Sequence, residues 1–349
     1  MTIEVGVIGY GLSGSVFHAP LIAATDGLRL AAFVSSDPAK VHRDYPGASV
    51  YDSVDALVAR EELDVIVVSS PSRTHYDYAK QALKAGKHVI VEKPFTATAA
   101  EAEELIALAQ QRGLVLTVYQ NRRWDGDFLT VRRLVDEGLL GRITRYEAHY
   151  DRFRPEPNPG IWKEQDEPGT GILYDLGSHI IDQALTLFGA PETVWADLGM
   201  EREGSRIVDR YHVVLGYASG LRAILQSGSL VLRQGPRYQV HGDGGSFVKS
   251  GLDPQEQQLK DGLQPGAPDW GRDRPQTYGE LTRMTGGLTL HSKVETVVGS
   301  YERFYEGVVR AVTEGAPPPV AAADGLRTIQ VIEAALRSHA EQRVVRLAD

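Results

Sequence analysis

The chain has 349 residues, of which 42% are hydrophobic and 24% charged, with a formal net charge of -9. This is the composition of an ordinary globular protein, and a chain of this length is expected to form two domains. An acidic chain without a Lys/Arg tract is not expected to bind nucleic acid. The absence of cysteine excludes disulfides, thiol catalysis and cysteine-ligated metals.

The first residues carry no targeting pattern. Met1-Thr2-Ile3-Glu4 leads straight into an apolar run, without a basic region or a cleavage site. No apolar run approaches the roughly 18 residues needed to span a membrane. We therefore expect a cytoplasmic protein that has no membrane partner.

Residues 1–121 alternate short apolar runs with amphipathic stretches. Runs that are apolar throughout indicate strands covered on both faces, and their alternation with helices predicts a doubly wound parallel sheet. The predicted strands are Ile3–Ile8, Leu28–Val34, Asp64–Ser69, His88–Val91 and Leu114–Tyr119, and the predicted helices include Tyr76–Ala85 and Ala99–Gln111.

Residues 122–349 have a different pattern, which predicts an α+β domain with a mainly antiparallel sheet. A helix is predicted over Asp127–Glu137, alternating strands over Arg145–Phe153, Arg206–Tyr217 and Leu221–Leu230, and helices over Ser300–Glu314 and Ala322–Gln342. The segments Pro155–Gly171 and Gly251–Gly287 are rich in Pro, Gly and charge. We expect them to be long loops.

A glycine-rich turn follows the first predicted strand. Gly9-Tyr10-Gly11-Leu12-Ser13-Gly14 has the G-x-G-x-x-G spacing, and it opens a helical pattern. Glycines this dense also occur in ordinary turns, but the strand-to-helix context favours dinucleotide binding. In that case Gly9 permits the tight turn, Gly11 lets the pyrophosphate approach, and Gly14 permits close packing of the helix on the strand.

The second strand ends in Ser35 and Ser36 where an NAD enzyme usually has an acidic residue that binds the ribose hydroxyls. Lys40 follows closely. Hydroxyls and cations suit a 2′-phosphate, so NADP is favoured and NAD remains possible. Asp37 weakens this argument, although it also suits the N-cap of a helix that begins at Pro38.

Lys93 follows the predicted strand His88–Val91, in Glu92-Lys93-Pro94. Ligands bind at the carboxyl ends of strands in an open parallel sheet, so a lysine here is a candidate catalytic cation. The alternative interpretation is a solvated lysine in a strand-to-helix turn.

Asp175, His179 and Asp182 share one face of a predicted helix. A histidine one turn from a carboxylate is a candidate general base. In the alternative interpretation, Asp175 caps the helix and His179 is a structural histidine paired with Asp182. No ligand spacing supports a metal, so none is expected.

Two further clusters combine arginine with aromatic or acidic residues. Gln120-Asn121-Arg122-Arg123-Trp124-Asp125 follows the last strand of the predicted parallel sheet, and Asp151-Arg152-Phe153-Arg154-Pro155 begins a loop in the second half. Such donors, acceptors and ring faces suit a hydroxyl-rich ligand. Surface arginines at a domain junction are the alternative.

With these motifs, the chain resembles the Gfo/Idh/MocA family of NAD(P)-dependent oxidoreductases over essentially its whole length, and within it the polyol dehydrogenases. The resemblance is carried by Gly9 to His18, Gly86 to Pro94, Asn121 to Asp125 and Leu173 to Asp182. It implies a Rossmann domain followed by a domain whose open, mainly antiparallel sheet forms a homodimer or homotetramer. It also implies a small polyol or sugar substrate.

The resemblance implies that Lys93 binds the reacting oxygen, that His179 is the acid/base and that Asp175 orients His179 and the substrate. It also implies that Phe17-His18 and Pro71 to His75 line the cofactor site. The residues predicted to bind the cofactor are Gly9, Gly11, Leu12, Ser13, Gly14, Ser35, Ser36, Lys40, Pro71, His75, Glu92, Lys93 and Asn121. Those predicted to bind the substrate are Tyr119, Arg122, Trp124, Arg152, Trp162, Asp175 and His179.

The expected reaction is hydride transfer at a ring carbon, with scyllo-inositol as the first substrate to consider. A reductase or dehydrogenase of another sugar, a nicotinamide-dependent glycosidase and a non-catalytic NADP-sensing regulator are the alternatives.

Overall fold

Two β-sheets organise the chain, and the computed structural model describes residues 2–347. The strands of the first sheet are β1 (Ile3–Ile8), β2 (Leu28–Val34), β3 (Ser49–Tyr51), β4 (Val65–Val68), β5 (His88–Glu92) and β6 (Leu116–Tyr119). Those of the second are β7 (Ile143–His149), β8 (Thr193–Gly199), β9 (Arg210–Gly216), β10 (Arg222–Gly228), β11 (Tyr238–Gly242), β12 (Gly245–Lys249), β13 (Gly279–Thr285), β14 (Leu288–Val294) and β15 (Val345–Arg346).

The described helices are α1 (Ala19–Ala23), α2 (Pro38–Asp44), α3 (Val54–Val58), α4 (His75–Lys84), α5 (Ala99–Arg112), α6 (Gly126–Asp136), α7 (Ser178–Phe188), α8 (Gln255–Lys260), α9 (Glu302–Glu314) and α10 (Ala322–Glu341). Two π-helical turns, Ser13–His18 and Leu173–Gly177, lead into α1 and α7. Short 3-10 turns cover Ser72–Thr74, Asn121–Trp124, Trp162–Glu164 and Pro275–Thr277.

The first sheet is parallel, in the order β3-β2-β1-β4-β5-β6. This is the strand order of dinucleotide-binding domains, in which the order reverses between β1 and β4. Every residue of β4 is buried, and its neighbours β1 and β5 are buried except at one half-buried position each. The predicted doubly wound sheet is confirmed, and so is the reason for it, since strands covered on both faces read as continuous apolar runs.

Local signals fix the helices of this half. Thr98 and Glu101 form a reciprocal capping box at the start of α5, and Gly113 ends it with φ of 64°. The Asp37 carboxylate accepts the Lys40 backbone N–H at 3.0 Å, so Asp37 is the N-cap of α2.

The first compact unit comprises Met1–Asn121, Gln255–Trp270 and Ser300–Leu326. Its edge strand β6 is covered by the last of these segments: Thr117 Oγ1 donates to the Val320 carbonyl at 2.7 Å, and a bridge joins Thr117 to Ala321. A Cβ on Gly325 would lie 2.7 Å from Val118, so the start of α10 packs directly on β6. Covering an edge in this way prevents pairing with another chain.

The second unit comprises Arg122–Pro254, Gly271–Gly299 and Arg327–Asp349. Its sheet has the order β14-β13-β12-β11-β7-β10-β9-β8-β15, with β7 and β10 parallel and the other pairs antiparallel. Buried and partly exposed positions alternate along β8, β9 and β10. The predicted mainly antiparallel sheet with one more exposed face is confirmed.

The prediction of a long loop over Gly251–Gly287 was wrong. This segment contains helix α8, whose residues Gln255 and Leu259 are buried, and strand β13, which pairs with both β12 and β14. Its many Pro, Gly and charged residues hid these elements, because the short helix and the exposed strand show little hydrophobic periodicity. By contrast, the described structure of 155–171 is largely irregular, apart from the turn Trp162–Glu164.

Candidate active site

The glycine-rich turn joins β1 to the π-helical turn Ser13–His18. Its three glycines are needed for different physical reasons. Gly9 has φ of 98°, and a Cβ on Gly14 would collide with the Gly9 carbonyl. These two glycines are therefore required by the fold. A Cβ on Gly11 would meet no described atom within 4 Å, so packing within the protein does not explain this glycine. A glycine here leaves room for the close approach of a phosphate, and the turn therefore fits a dinucleotide.

The tip of β2 carries the residues predicted to choose between NADP and NAD. Ser36 is exposed and Ser35 is half-buried. Lys40 Nζ donates to the Tyr10 carbonyl at 3.1 Å and lies 5.1 Å from the centre of the Tyr10 ring. A cation and hydroxyls thus lie beside the glycine-rich turn Gly9–Gly14, which we call the phosphate turn, while the Asp37 carboxylate accepts from the backbone of α2.

Glu92 connects Lys93 to the phosphate turn. Its Oε2 accepts the Lys93 backbone N–H at 2.8 Å. Its Oε1 accepts from the Ser13 hydroxyl and lies 3.1 Å from His18 Nε2. Burial opposes ionisation of Glu92, but the hydrogen bond from His18 and the nearby Lys93 charge outweigh it and lower the pKa of Glu92 to about 2.

His75 joins two loops at the carboxyl ends of β4 and β5. Its ring nitrogens lie 2.8 Å from the Pro94 carbonyl and 3.0 Å from the Ser70 carbonyl. The ring is almost fully buried, and burial lowers its pKa. His75 therefore fixes the backbone just before Pro71 and just after Lys93.

Tyr119 and Asn121 lie at the end of β6 and are both buried. The Tyr119 hydroxyl donates to the Phe17 carbonyl at 2.9 Å, and its ring centre lies 4.2 Å from that of His18. These contacts place the Tyr119 side chain against the segment that follows the phosphate turn. Leu12, in the turn itself, is 60% exposed.

The second unit carries Asp175, His179 and Asp182. Asp175 lies in the π-helical turn, whereas buried His179 and Asp182 lie in α7. The alternative in which Asp175 caps a helix was wrong, because the N-cap of α7 is Gly177 and the π-helical turn precedes it. Such turns are rare and occur often at functional sites.

Cations engage both aspartates. Lys163 Nζ lies 2.7 Å from Asp175 Oδ1, and Arg152 Nη1 lies 3.5 Å from Asp175 Oδ2. Arg123 donates to both oxygens of Asp182, at 2.8 and 2.7 Å. Asp175 thus pairs with two cations, Lys163 and Arg152, that its expected orienting role did not include. Asp182 forms a bidentate pair with Arg123 that the sequence did not reveal.

Three arginine side chains lie against the ring of Tyr150. The guanidinium carbons of Arg237, Arg122 and Arg152 lie 4.4, 5.1 and 5.6 Å from the ring centre. Arg122 also pairs with Asp125 at 3.4 Å. The predicted substrate residues Arg122 and Arg152 are therefore brought together on one aromatic ring.

The predicted residue Trp162 lies on a short turn in the 155–171 segment, and Lys163 Nζ lies 5.6 Å from its ring centre. The turn is anchored by Glu164, which pairs with buried Arg202 at 3.1 Å. Trp124 is half-buried in the turn that leads to α6.

Sequence reasoning missed Tyr305, Lys163, Tyr150 and Arg237. Arg237 is 3% exposed. Nothing in the sequence around an arginine reports such burial. Lys163 directly follows Trp162, a predicted substrate residue, and this adjacency is the signal that the sequence offers for it. Among residues 2–347, no group of three or more His, Asp or Glu residues could hold a metal ion.

Two family models cover most of the chain. Residues 3–120 match the NAD-binding Rossmann fold of an oxidoreductase family, and residues 132–347 match the C-terminal α/β domain of the same family. The chain belongs to the Gfo/Idh/MocA oxidoreductase family. It is thus an enzyme of a nicotinamide-dependent family, as the motifs had indicated.

Relatives in this family are similar over almost the whole chain. The scyllo-inositol 2-dehydrogenase (NADP(+)) of Bacillus subtilis is 44% identical over 99% of this chain and 96% of its own length. The solved structure of a Bacillus subtilis oxidoreductase, 44% identical, covers 99% of both chains with a TM-score of 0.97. An oxidoreductase structure from Yersinia pestis, 43% identical, covers 100% of this chain and 98% of its own with a TM-score of 0.94. None of the helices described between residues 2 and 347 is long and apolar enough to cross a membrane.

Proposed function

We propose that the chain catalyses reversible, NADP-dependent hydride transfer at a ring carbon of a polyol or sugar, with scyllo-inositol and its 2-keto form as the first pair to test. The observation that carries the proposal is the fastening of Lys93 to the phosphate turn through Glu92, whose carboxylate accepts from both the Lys93 backbone and the Ser13 hydroxyl. This link between the Lys93 backbone and the phosphate turn supports a role for Lys93 as the cation of a nicotinamide enzyme.

NADP is proposed as the preferred cofactor. Ser35, Ser36 and Lys40 offer hydroxyls and a cation to a 2′-phosphate, and Lys40 is already held against the phosphate turn. The relative from Bacillus subtilis carries NADP(+) in its name. When bound, the cofactor accepts hydride from the carbon that is oxidised.

Two side chains are proposed to act on the reacting hydroxyl: one transfers its proton, and the other stabilises the negative charge that develops on its oxygen. His179 removes the proton of the reacting hydroxyl as the hydride leaves. The Lys93 ammonium stabilises the negative charge that develops on the same oxygen, and such a preorganised cation contributes several kcal/mol to the transition state. In the reduction direction, His179 returns the proton.

Asp175 is proposed to bind hydroxyls next to the reacting carbon, together with Lys163 and Arg152. Lys163 and Arg152 both lie within ion-pair distance of the Asp175 carboxylate, so the cluster offers both acceptors and N–H donors. Adjacent ring hydroxyls need both, since each hydroxyl donates one hydrogen bond and accepts others. This arrangement suits a polyol or sugar, which presents several adjacent ring hydroxyls.

The names of relatives point to two groups of ring substrates, inositols and glucosides. An inositol 2-dehydrogenase of Rhizobium meliloti is 27% identical over the whole chain, and a D-glucoside 3-dehydrogenase of Escherichia coli is 32% identical over 54% of it. A different sugar is therefore the alternative substrate for the same chemistry.

The test is an absorbance assay for reduced nicotinamide, with a panel of inositols and sugars, each with NADP and with NAD. We expect scyllo-inositol with NADP to give the highest kcat/KM. Higher kcat/KM with NAD would contradict the interpretation of Ser35 and Ser36. Substrate breakdown without net change in absorbance would instead identify a glycosidase, and cofactor binding without any turnover would identify a regulator.

The same proposal includes a homodimer or homotetramer formed through the second sheet. Its exposed apolar side chains support this: Trp195 is 39% exposed, Met284 61%, Leu288 67% and Leu290 45%. Light scattering after size exclusion should report a dimer or tetramer. A monomer at micromolar concentration would contradict this part of the proposal.

A further inference from the structure

Buried side chains from distant parts of the chain converge on Glu92 in the first unit. The Tyr305 hydroxyl lies 2.5 Å from His18 Nδ1, and His18 Nε2 lies 3.1 Å from Glu92 Oε1. The same carboxylate accepts from Ser13 and from the Lys93 backbone. We call Tyr305, His18 and Glu92 the Glu92 tether.

The tether is buried and holds a negative charge. The side chains of His18 and Tyr305 are fully buried, and that of Glu92 is 11% exposed. A buried carboxylate is tolerated only when hydrogen bonds compensate for its lost hydration. The donors to Glu92 therefore fix its position, because loss of any one of them would leave the desolvation of the buried carboxylate less well compensated.

Neighbouring aromatic rings hold His18 in one orientation. The ring of Tyr119 lies 4.2 Å from that of His18 between centres, and the Tyr305 ring meets the His18 ring edge-on at 6.3 Å. With its two nitrogens engaged by Tyr305 and Glu92, the imidazole has little freedom to rotate. A change at Tyr305 is thus passed to Glu92 through one rigid ring.

We propose that Tyr305 and His18 are positioning residues for the reaction. They hold the Glu92 carboxylate, and Glu92 in turn holds the Ser13 end of the phosphate turn and the backbone from which Lys93 projects. The effect on Lys93 rests on the proposed function, whereas the effect on the phosphate turn requires only that the chain binds a dinucleotide. A small displacement at a reacting group costs a large factor in rate.

A double-mutant cycle tests the tether. Tyr305→Phe removes only the hydroxyl, and Glu92→Gln removes the charge. We expect Tyr305→Phe to raise the Kd for NADPH about fivefold and to lower kcat about tenfold, a factor equivalent to about 1.4 kcal/mol. In the Glu92→Gln background, the same substitution should change either quantity by less than about twofold, since residues of one network are not additive.

A matched control separates the tether from the general loss of a buried hydroxyl. Tyr146 is 0% exposed, and its hydroxyl has no hydrogen-bond partner among the described residues. Tyr146→Phe should leave both the Kd for NADPH and kcat within about twofold of wild type. Thermal unfolding of each variant reports stability separately.

Two outcomes of the cycle overturn the proposal. One is a Tyr305→Phe enzyme whose Kd and kcat both stay within about twofold of wild type, even if its melting temperature falls. The other is a pair of substitutions whose effects simply multiply, because Tyr305 would then act independently of Glu92.

If Tyr305→Phe fails to fold, His18 provides the second comparison. His18→Gln retains a side-chain N–H that can reach Glu92, so it should recover a large part of the NADPH affinity lost in His18→Ala. Equal affinity in the two variants overturns the proposal.

The experiment also separates this inference from the proposed function. A wild-type chain that binds NADPH but oxidises no polyol or sugar refutes the proposed reaction, and the Kd measurements then decide on the tether alone. A wild-type chain that binds neither NADPH nor NADH overturns both.

Discussion

Substitution of two glycines in the phosphate turn should have opposite consequences: one should weaken NADPH binding, and the other should lower the stability of the fold. A Cβ on Gly11 would have no described atom within 4 Å, and its backbone lies outside the left-handed region. Gly11→Ala should therefore leave the free energy of unfolding unchanged or raise it by about 0.4–1 kcal/mol, through the entropy of the unfolded chain. The added methyl group would occupy the space that the pyrophosphate needs. We expect the Kd for NADPH to rise about a hundredfold, or about 2.7 kcal/mol.

Gly14→Ala is the matched comparison. Its Cβ would collide with the Gly9 carbonyl and lie 3.1 Å from Ser69 Oγ, so the turn would have to move. We expect a loss of about 1–3 kcal/mol in the free energy of unfolding, as for an overpacked core.

Titration of NADPH by fluorescence and thermal unfolding of both variants measure the two effects. A Gly11→Ala protein that binds NADPH within threefold of wild type would refute the reasoning for Gly11. A Gly14→Ala protein as stable as wild type would refute the packing argument.

The remaining predictions concern the proposed reaction. Lys93→Ala should lower kcat by about a thousandfold, a cost of several kcal/mol as expected for a lost electrostatic contact, with little change in the Kd for NADPH. A variant with near wild-type rate would contradict the role of Lys93. Lys163→Met should raise KM for the polyol about threefold, because the lost ion pair with Asp175 is partly exposed and such pairs contribute only about 0.2–1 kcal/mol; unchanged kinetics would argue against this contact. Ser36→Asp should lower kcat/KM with NADP at least about tenfold relative to NAD, because the carboxylate repels the 2′-phosphate. An unchanged ratio would show that Ser36 does not lie near the 2′-phosphate.

The parallel sheet could be predicted in detail because its signals are local. Strands such as β4 are apolar at every position, and helix α5 carries its own capping box and terminal glycine. Such features depend on neighbours within a few residues, so the sequence displays them. The exposed hairpin of β13 and β14 has no comparable pattern, because most of its side chains face solvent.

The candidate site could be predicted in part for the same reason. Gly11, Lys93 and His179 each stand in a short recognisable motif. Other residues around the site do not: Tyr305 lies 287 positions from its partner His18, and Arg237 lies 88 positions from the His149 carbonyl that it contacts. Contacts this distant depend on topology, and no local pattern predicts which tyrosine or arginine will be buried.

The discontinuous makeup of the first unit bears on how the protein is made. Its sheet is complete in sequence at residue 119, but β6 is covered by Ser300–Leu326, and the Glu92 tether ends on Tyr305 in the same segment. About 180 residues must be synthesised in between, which takes about 10 to 35 seconds at about 5–20 residues per second. During that interval the nascent chain presents an open sheet edge, and His18 lacks its Tyr305 partner. The first unit, although it begins the sequence, is therefore completed only when Ser300–Leu326 has been synthesised, and until then its open edge is available for pairing with another chain.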